Sequence, residues 1–203
     1  MTDIHSFEPI FGAWYVDGLL GEGSYGTVYK ATRSEYGNTF FSAIKHISIK
    51  DTPDVSAEQQ ARALSREINI NYQLRGESHF VSYEDSTFLN KPDGNGVDVF
   101  IRMELLTSLV QHMRQTPLAE NDVLRLGMEI CLALESLEHR KIIHRDIKPE
   151  NIFINDQGSY KLGDFGVARS LGATTSGMTV AGTFNYMAPE IYRGGTANHT
   201  LDI

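Results

Sequence analysis

Ile143-His144-Arg145-Asp146-Ile147-Lys148-Pro149-Glu150-Asn151 places a carboxylate, an ammonium and an amide in one short loop. Such a set suits the handling of a hydroxyl nucleophile beside metal-bound phosphate. The carboxylate of Asp146 can orient the hydroxyl and take its proton. The ammonium of Lys148 can offset charge on a phosphoryl group, and the amide oxygen of Asn151 can ligate a hard cation such as Mg²⁺. A second carboxylate follows in Asp164-Phe165-Gly166, eighteen residues after Asp146. Singly, an aspartate in a loop is usually a turn residue and a lysine a solvated charge. The reading rests on the whole set at this spacing.

The run resembles the catalytic loop of protein kinases, His-Arg-Asp with an asparagine five residues after the aspartate, followed by Asp-Phe-Gly. The resemblance implies Asp146 as catalytic base, Lys148 in contact with the transferred phosphoryl group, and Asn151 and Asp164 as Mg²⁺ ligands. His144 and Phe165 would be packing members of the active arrangement. Lysine at position 148 is typical of Ser/Thr-directed members of the family.

Composition sets limits around this. At 203 residues with 41% hydrophobic and 22% charged content, the chain can bury a sizeable core as an ordinary globular protein. A formal net charge of −8 argues against generic binding to nucleic acid or anionic membrane. The single cysteine, Cys131, lies in an amphipathic helical stretch and reads as buried filler. The start lacks a basic and apolar leader, and no apolar run is long enough to cross a bilayer, so a cytoplasmic location is expected.

Upstream, Trp14 to Leu20 alternates as a strand after a short lead of residues 1–13. Gly21-Glu22-Gly23-Ser24-Tyr25-Gly26 is a G-x-G-x-x-G turn, by itself a weak signal shared with dinucleotide-binding folds. In those folds the last glycine opens a helix. Here Thr27 to Thr32 is β-branched and aromatic without a helical period, which predicts a second strand. A plain tight hairpin and a phosphate-covering hairpin both fit. The kinase resemblance implies the second, with Gly21, Glu22, Gly23, Ser24, Tyr25 and Gly26 over the nucleotide and Val28 on adenine. A third strand, Phe40 to Ile49, carries Ala43-Ile44-Lys45. By the same resemblance Ala43 lines the nucleotide site and Lys45 holds the α and β phosphates. Ser56 to Arg75 reads as a helix with Leu64, Ile68, Asn71 and Leu74 on one stripe. Glu67 falls on that same stripe, three after Leu64, where a core-facing carboxylate needs a cationic partner. Glu67 matches the partner of Lys45 in the family's ion pair; an edge position, or pairing with Arg62 or Arg66, also fits the residues. Asn71 departs from the family, which usually has an apolar residue there. It either loosens the active arrangement or hydrogen-bonds locally.

Phe80 to Leu89 and Val97 to Leu105 read as antiparallel strands around the turn-rich stretch 90–96. The run 100–106 resembles the last small-lobe strand and hinge. This puts Met103 beside the adenine pocket and the backbones of Glu104 and Leu106 at the adenine edge, with Phe153 a further nucleotide contact. The implied architecture is α+β, a two-lobe kinase-like fold. The small lobe, 14–106, would be a five-stranded antiparallel sheet with one main helix. The large lobe, 107–203, would be mainly helical and incomplete.

Thr107 to Gln115 and Glu120 to His139 read as helices, the longer with Val123, Leu126, Ile130, Leu134 and Leu137 along one face. Residues 151–154 and 160–162 form a small hairpin that leads to Asp164. Residues 167–190 resemble the activation segment and end in Ala188-Pro189-Glu190. Thr174, Thr175, Ser176 and Thr179 are its candidate phosphosites, with Arg145 as a phosphate partner. Thr183 matches the threonine that steadies Asp146 and Lys148. The wording of 161–169 looks most like bacterial Ser/Thr kinases of the eukaryotic type. Leu201-Asp202-Ile203 resembles the start of the central large-lobe helix, whose aspartate anchors the catalytic loop. The helices that usually follow and cover the long 120–139 helix are missing, so apolar large-lobe surface is expected to face water. The expectation is an ATP- and Mg²⁺-dependent protein kinase acting on Ser/Thr hydroxyls of proteins, with self-association or autophosphorylation open. The alternative is a catalytically incompetent nucleotide-binding or partner-binding fragment.

Overall fold

β-Branched and aromatic runs separated by glycine turns build the first three strands, β1 (Tyr15–Gly23), β2 (Gly26–Glu35) and β3 (Asn38–Ile49). The structure is a computed structural model and describes residues 3–23, 26–92, 94–165, 169–170, 186, 188, 189 and 202. Tyr36 and Gly37 join β2 to β3 with positive φ at both positions, the two-residue turn whose twist suits a hairpin. Helix α1 (Ala57–Gln73) starts at Ser56, which accepts the backbone N–H of Gln59, while the Gln59 side chain accepts the N–H of Ser56. Strands β4 (Tyr83–Asn90) and β5 (Val97–Met103) complete an antiparallel sheet of order β1-β2-β3-β5-β4. These elements, with the residues up to Arg75 and Ser82–Leu105, make one unit.

Both faces of this sheet are covered. On one, α1 packs Ala57, Ala61 and Ile68 against Ile49, Tyr83, Val97, Val99 and Ile101. On the other, Ala31, Ile44 and Phe100 pack with Ile4, Ile10 and Trp14 from the start of the chain. The lead of residues 1–13 is therefore not a mere lead where it is described: Ile4–Phe7 forms a 3₁₀ turn and contributes to the core. Strand β4 begins later than the apolar run predicts. Phe80 instead lies opposite Leu162 in an isolated parallel bridge, in which the His79 carbonyl accepts the Leu162 N–H at 2.8 Å and the Val81 N–H donates to the Leu162 carbonyl at 2.9 Å.

The second unit holds Gly76–Val81 and the residues from Leu106 onward. Strand β6 (Thr107–Ser108) precedes α2 (Leu109–Gln115) and α3 (Glu120–His139). Short strands β7 (Ile142–Ile143), β8 (Ile152–Ile154), β9 (Tyr160–Leu162) and β10 (Arg169–Ser170) follow. They pair as β6-β8-β9 and β7-β10. The core here includes Phe80, Leu109, Ala133, Leu137, Ile143, Ile152, Tyr160, Leu162 and Phe165. Glu77 ties the 76–81 segment to α3 by accepting from Ser136 and Arg140.

Two expectations about α3 are corrected. Val123 is 52% exposed, because nothing among the described residues covers the first turn on that side. Cys131 is exposed, not buried. Leu124, Met128 and Leu132 are also exposed, so the helix carries a second apolar stripe facing away from the packed one. Among the described residues, no helix is long and apolar enough to cross a membrane.

Candidate active site

The loop after β7 is held by hydrogen bonds to its backbone. The carboxylate of Asp202 accepts the N–H groups of His144 and Arg145, each at 2.7 Å, so both oxygens serve the loop. This is the anchoring role expected of that aspartate. Arg145 has a left-handed φ of 72°, unusual for a residue with a side chain, and it turns the chain into Asp146.

His144 is fully buried and braces the loop from within. Its Nε2 lies 3.0 Å from the carbonyl of Gly163, an acceptor only, so Nε2 carries the proton. Its Nδ1 then accepts the N–H of Asp146 at 3.3 Å. Burial lowers the imidazole pKa below its ordinary 6.5, opposed by Asp202, the Gly163 carbonyl, Asp164 and Asp146. The neutral ring that results is the form the two hydrogen bonds require. Phe165 packs on it with ring centroids 4.7 Å apart, and Phe80 packs on Phe165 at 5.8 Å.

Asp146 is buried, with its Oδ2 at 2.8 Å from Lys148 Nζ and 2.9 Å from Asn151 Nδ2. Asn151 Nδ2 also donates to the Asp146 carbonyl at 2.7 Å. Both amide hydrogens therefore point at Asp146, which leaves Oδ1 as the atom of Asn151 that could ligate a cation. The β8–β9 hairpin brings Asp164, the second expected ligand, close. Ile152 pairs with Leu162, and Gly163 N–H donates to the Asn151 carbonyl at 2.9 Å, so Asn151 and Asp164 stand at the same end of the hairpin. Asp164 also has a left-handed φ, 54°. An amide oxygen and a carboxylate are hard donors, and two of them fit Mg²⁺, which keeps several of its waters.

In the other unit the register brings together residues expected on the nucleotide side. Val28 pairs with Lys45 and Lys45 with Ile101; one row on, Ala43 pairs with Met103. Val28, Ala43, Lys45 and Met103 thus share one sheet face. Lys45 is buried, at 6% exposure, and a buried ammonium requires an anionic or hydrogen-bonding partner. Glu67 is half-buried on α1, which packs against β3. Asn71 is buried and its Nδ2 donates to the Glu67 carbonyl at 3.1 Å, while its Oδ1 has no partner among the described residues. The amide thus bonds locally but is half satisfied. Glu104 accepts the N–H of Ser82 and donates its own to the Ser82 carbonyl, which fixes the strand end that carries Met103.

The glycines of the turn differ in kind. Gly26 has a φ of 119°, and a Cβ there would strike the His46 carbonyl, so the fold itself demands glycine. Gly21 and Gly23 have open space where a Cβ would stand. Among the described residues, nothing within the chain requires glycine at these two positions.

A family model described as the protein kinase domain matches residues 14–203. This chain belongs to the protein kinase family. It is 32% identical over 190 residues to the mouse serine/threonine-protein kinase Nek1, covering 91% of this chain and 15% of that one. It is 33% identical over 196 residues to the probable serine/threonine-protein kinase nek2 of Dictyostelium discoideum, covering 92% of this chain and 44% of that one. The chain thus spans less than half the length of these curated relatives. Protein kinases use ATP and Mg²⁺ in general, which agrees with the donor set above. Ser24, Tyr25, Gly166, Thr174, Thr175, Ser176, Thr179, Thr183 and Glu190 lie outside the described residues. Gly163 was not singled out by sequence reasoning. Its only signal was its place directly before Asp164.

Proposed function

We propose that this chain is the catalytic part of a protein serine/threonine kinase that transfers the γ-phosphoryl group of ATP to hydroxyls of a protein substrate. The observation that carries this reading is the Asp146 carboxylate, buried and held on one oxygen by Lys148 and Asn151. Held in this way, it orients the acceptor hydroxyl and takes its proton as the new bond to phosphorus forms. Lys148 places its positive charge where the transferred phosphoryl gains negative charge. Asn151 Oδ1 and the Asp164 carboxylate are the proposed Mg²⁺ ligands; the bound ion would neutralise phosphate charge. Lys45, partnered by Glu67, holds the α and β phosphates. Gly21, Glu22, Gly23, Val28, Ala43, Met103, Glu104, Leu106 and Phe153 are proposed to surround the rest of the nucleotide, and one of Thr174, Thr175, Ser176 or Thr179 to take a regulatory phosphate.

A second reading is favoured by the exposed outer stripe of α3: a fragment that binds nucleotide but does not turn over. One experiment separates the two. The chain and its Asp146→Asn variant are assayed for phosphate transfer from ATP·Mg²⁺ to a Ser/Thr acceptor and to themselves, with thermal melting measured in parallel. Transfer that disappears in the variant supports the kinase. ATP-dependent stabilisation without transfer supports the binding fragment, and the absence of both removes the nucleotide reading.

A further inference from the structure

The family model begins at Trp14, yet residues before it pack into the core on one face of the sheet. Ile10 and Trp14 exchange backbone hydrogen bonds at 2.9 Å in each direction, and the Glu8 carboxylate accepts the N–H of Val16 at 2.6 Å. Ile4 and Ile10 are buried on the sheet face opposite α1. Between them, Phe7 sets its ring 4.9 Å from Phe100 and 5.8 Å from His46.

His46 is where this cover meets the nucleotide-side residues. Its ring lies flat on Phe100, with centroids 4.7 Å apart and planes within 9°. Its Nε2 is 2.9 Å from Asp98, which is itself buried. With Phe7 the ring is held on three sides. The His46 backbone pairs with Thr27, and its carbonyl is the surface on which Gly26 sits so closely that no Cβ fits. Lys45 is the preceding residue of the same strand and points to the opposite face. A shift of His46 therefore moves both the base of the glycine turn and the root of Lys45.

We propose that residues 3–13 form a clasp that fixes His46, and that Phe7 is thereby a positioning residue for nucleotide binding. The proposal rests on the nucleotide reading given above. It differs from simple core stabilisation because it assigns the effect to one ring contact and one strand position.

The test uses the full 203-residue chain. ATP·Mg²⁺ affinity is measured by calorimetry for the wild type, Phe7→Ala, Phe7→Tyr and Ile10→Ala, at a temperature where each is folded by circular dichroism. Ile10 belongs to the same core but makes no ring contact with His46. Phe7→Ala is expected to weaken binding about fivefold, the scale of coupling between neighbouring residues, while Phe7→Tyr keeps the ring and the affinity. Ile10→Ala lowers the melting temperature and leaves affinity unchanged. Unchanged affinity in Phe7→Ala overturns the proposal, as does an equal loss in Ile10→Ala. If Phe7→Ala does not fold, Phe7→Leu is read against the same outcomes. If the wild type does not bind ATP·Mg²⁺, the nucleotide reading fails separately, and amide exchange decides the clasp. Faster exchange at 27–29 and 45–47 in Phe7→Ala but not Ile10→Ala supports it; equal exchange in the two overturns it.

Discussion

A Cβ at Gly163 would stand 2.5 Å from Val81 Cγ2 and 3.0 Å from Phe153 Cε2. Gly163 also donates to the Asn151 carbonyl and accepts from His144, so it joins the 144–151 loop to the end of the β8–β9 hairpin. Gly163→Ala is expected to destabilise the chain by about 1–3 kcal/mol, as overpacking of a tight site does, in urea denaturation. An unchanged midpoint would mean that Val81 and Phe153 can give way. His144 predicts a pH effect with a definite sign. Burial lowers its folded pKa below 6.5, so the unfolded chain binds this proton more readily than the folded one. The stability it contributes is complete above about 6.5, the ordinary value, and is lost as pH falls from there toward the lowered folded value. Protonation would also put a hydrogen on Nδ1, opposite the Asp146 N–H that it now accepts. The melting temperature is expected to fall between pH 7.5 and pH 5.5, about one unit either side of 6.5. The fall should be shallower in His144→Phe. Parallel curves for the two proteins would assign the effect to other groups.

Helix α1 shows what an element reveals in sequence and what it hides. Its apolar stripe and the place of Asn71 on the buried side were legible, because a 3.6-residue period marks the face that packs. What Asn71 does there was not legible. In the structure it back-bonds to the Glu67 carbonyl and leaves Oδ1 buried without a partner among the described residues. Asn71→Leu removes that unmet acceptor and is expected to raise stability by about 1–2 kcal/mol by thermal or chemical denaturation. A loss of stability would mean that leucine does not fit the space. The catalytic loop was legible for a different reason: its working groups are almost contiguous, so their chemistry shows before any folding. The Val28–Lys45 and Ala43–Met103 rows became explicit only through strand register. The cover formed by Ile4, Phe7 and Ile10 was hidden because Pro9 and Gly12 break any period its apolar residues could show. Phe80 and Val81 read as a strand because they are apolar, yet the residues flanking Phe80, His79 and Val81, hydrogen-bond to Leu162 of β9. Helix α3 has apolar residues on two sides, and periodicity alone does not say which side is packed. Val123 and Cys131 were misplaced for that reason.

At the scale of the whole molecule, the unpacked side of α3 is the main departure from the habits of a monomeric surface. Leu124 is 60% exposed and Met128 69%, with Val123, Cys131 and Leu132 beside them along the same helix. Apolar side chains grouped in this way lose contact with water when two surfaces meet, and the gain grows with the area covered. The chain carries a net charge of −8, which opposes close approach of copies at low salt and does so less as salt screens it. Concentration-dependent association is therefore expected, stronger at 0.5 M than at 0.05 M NaCl, concentrations at which screening is respectively strong and weak. Leu124→Glu combined with Met128→Lys interrupts the stripe at both helical turns with no change in net charge. Because both side chains already face water, the double variant is expected to shift the unfolding free energy by no more than about 0.5 kcal/mol per site. Sedimentation velocity across a concentration series checks this. The wild type should show a rising weight-average coefficient, and the double variant a nearly flat one. If both rise alike, association runs through another surface, such as the aromatic side chains exposed on β1 and β3. If neither rises, the stripe is tolerated in water, and the charge of the chain outweighs what its burial would contribute.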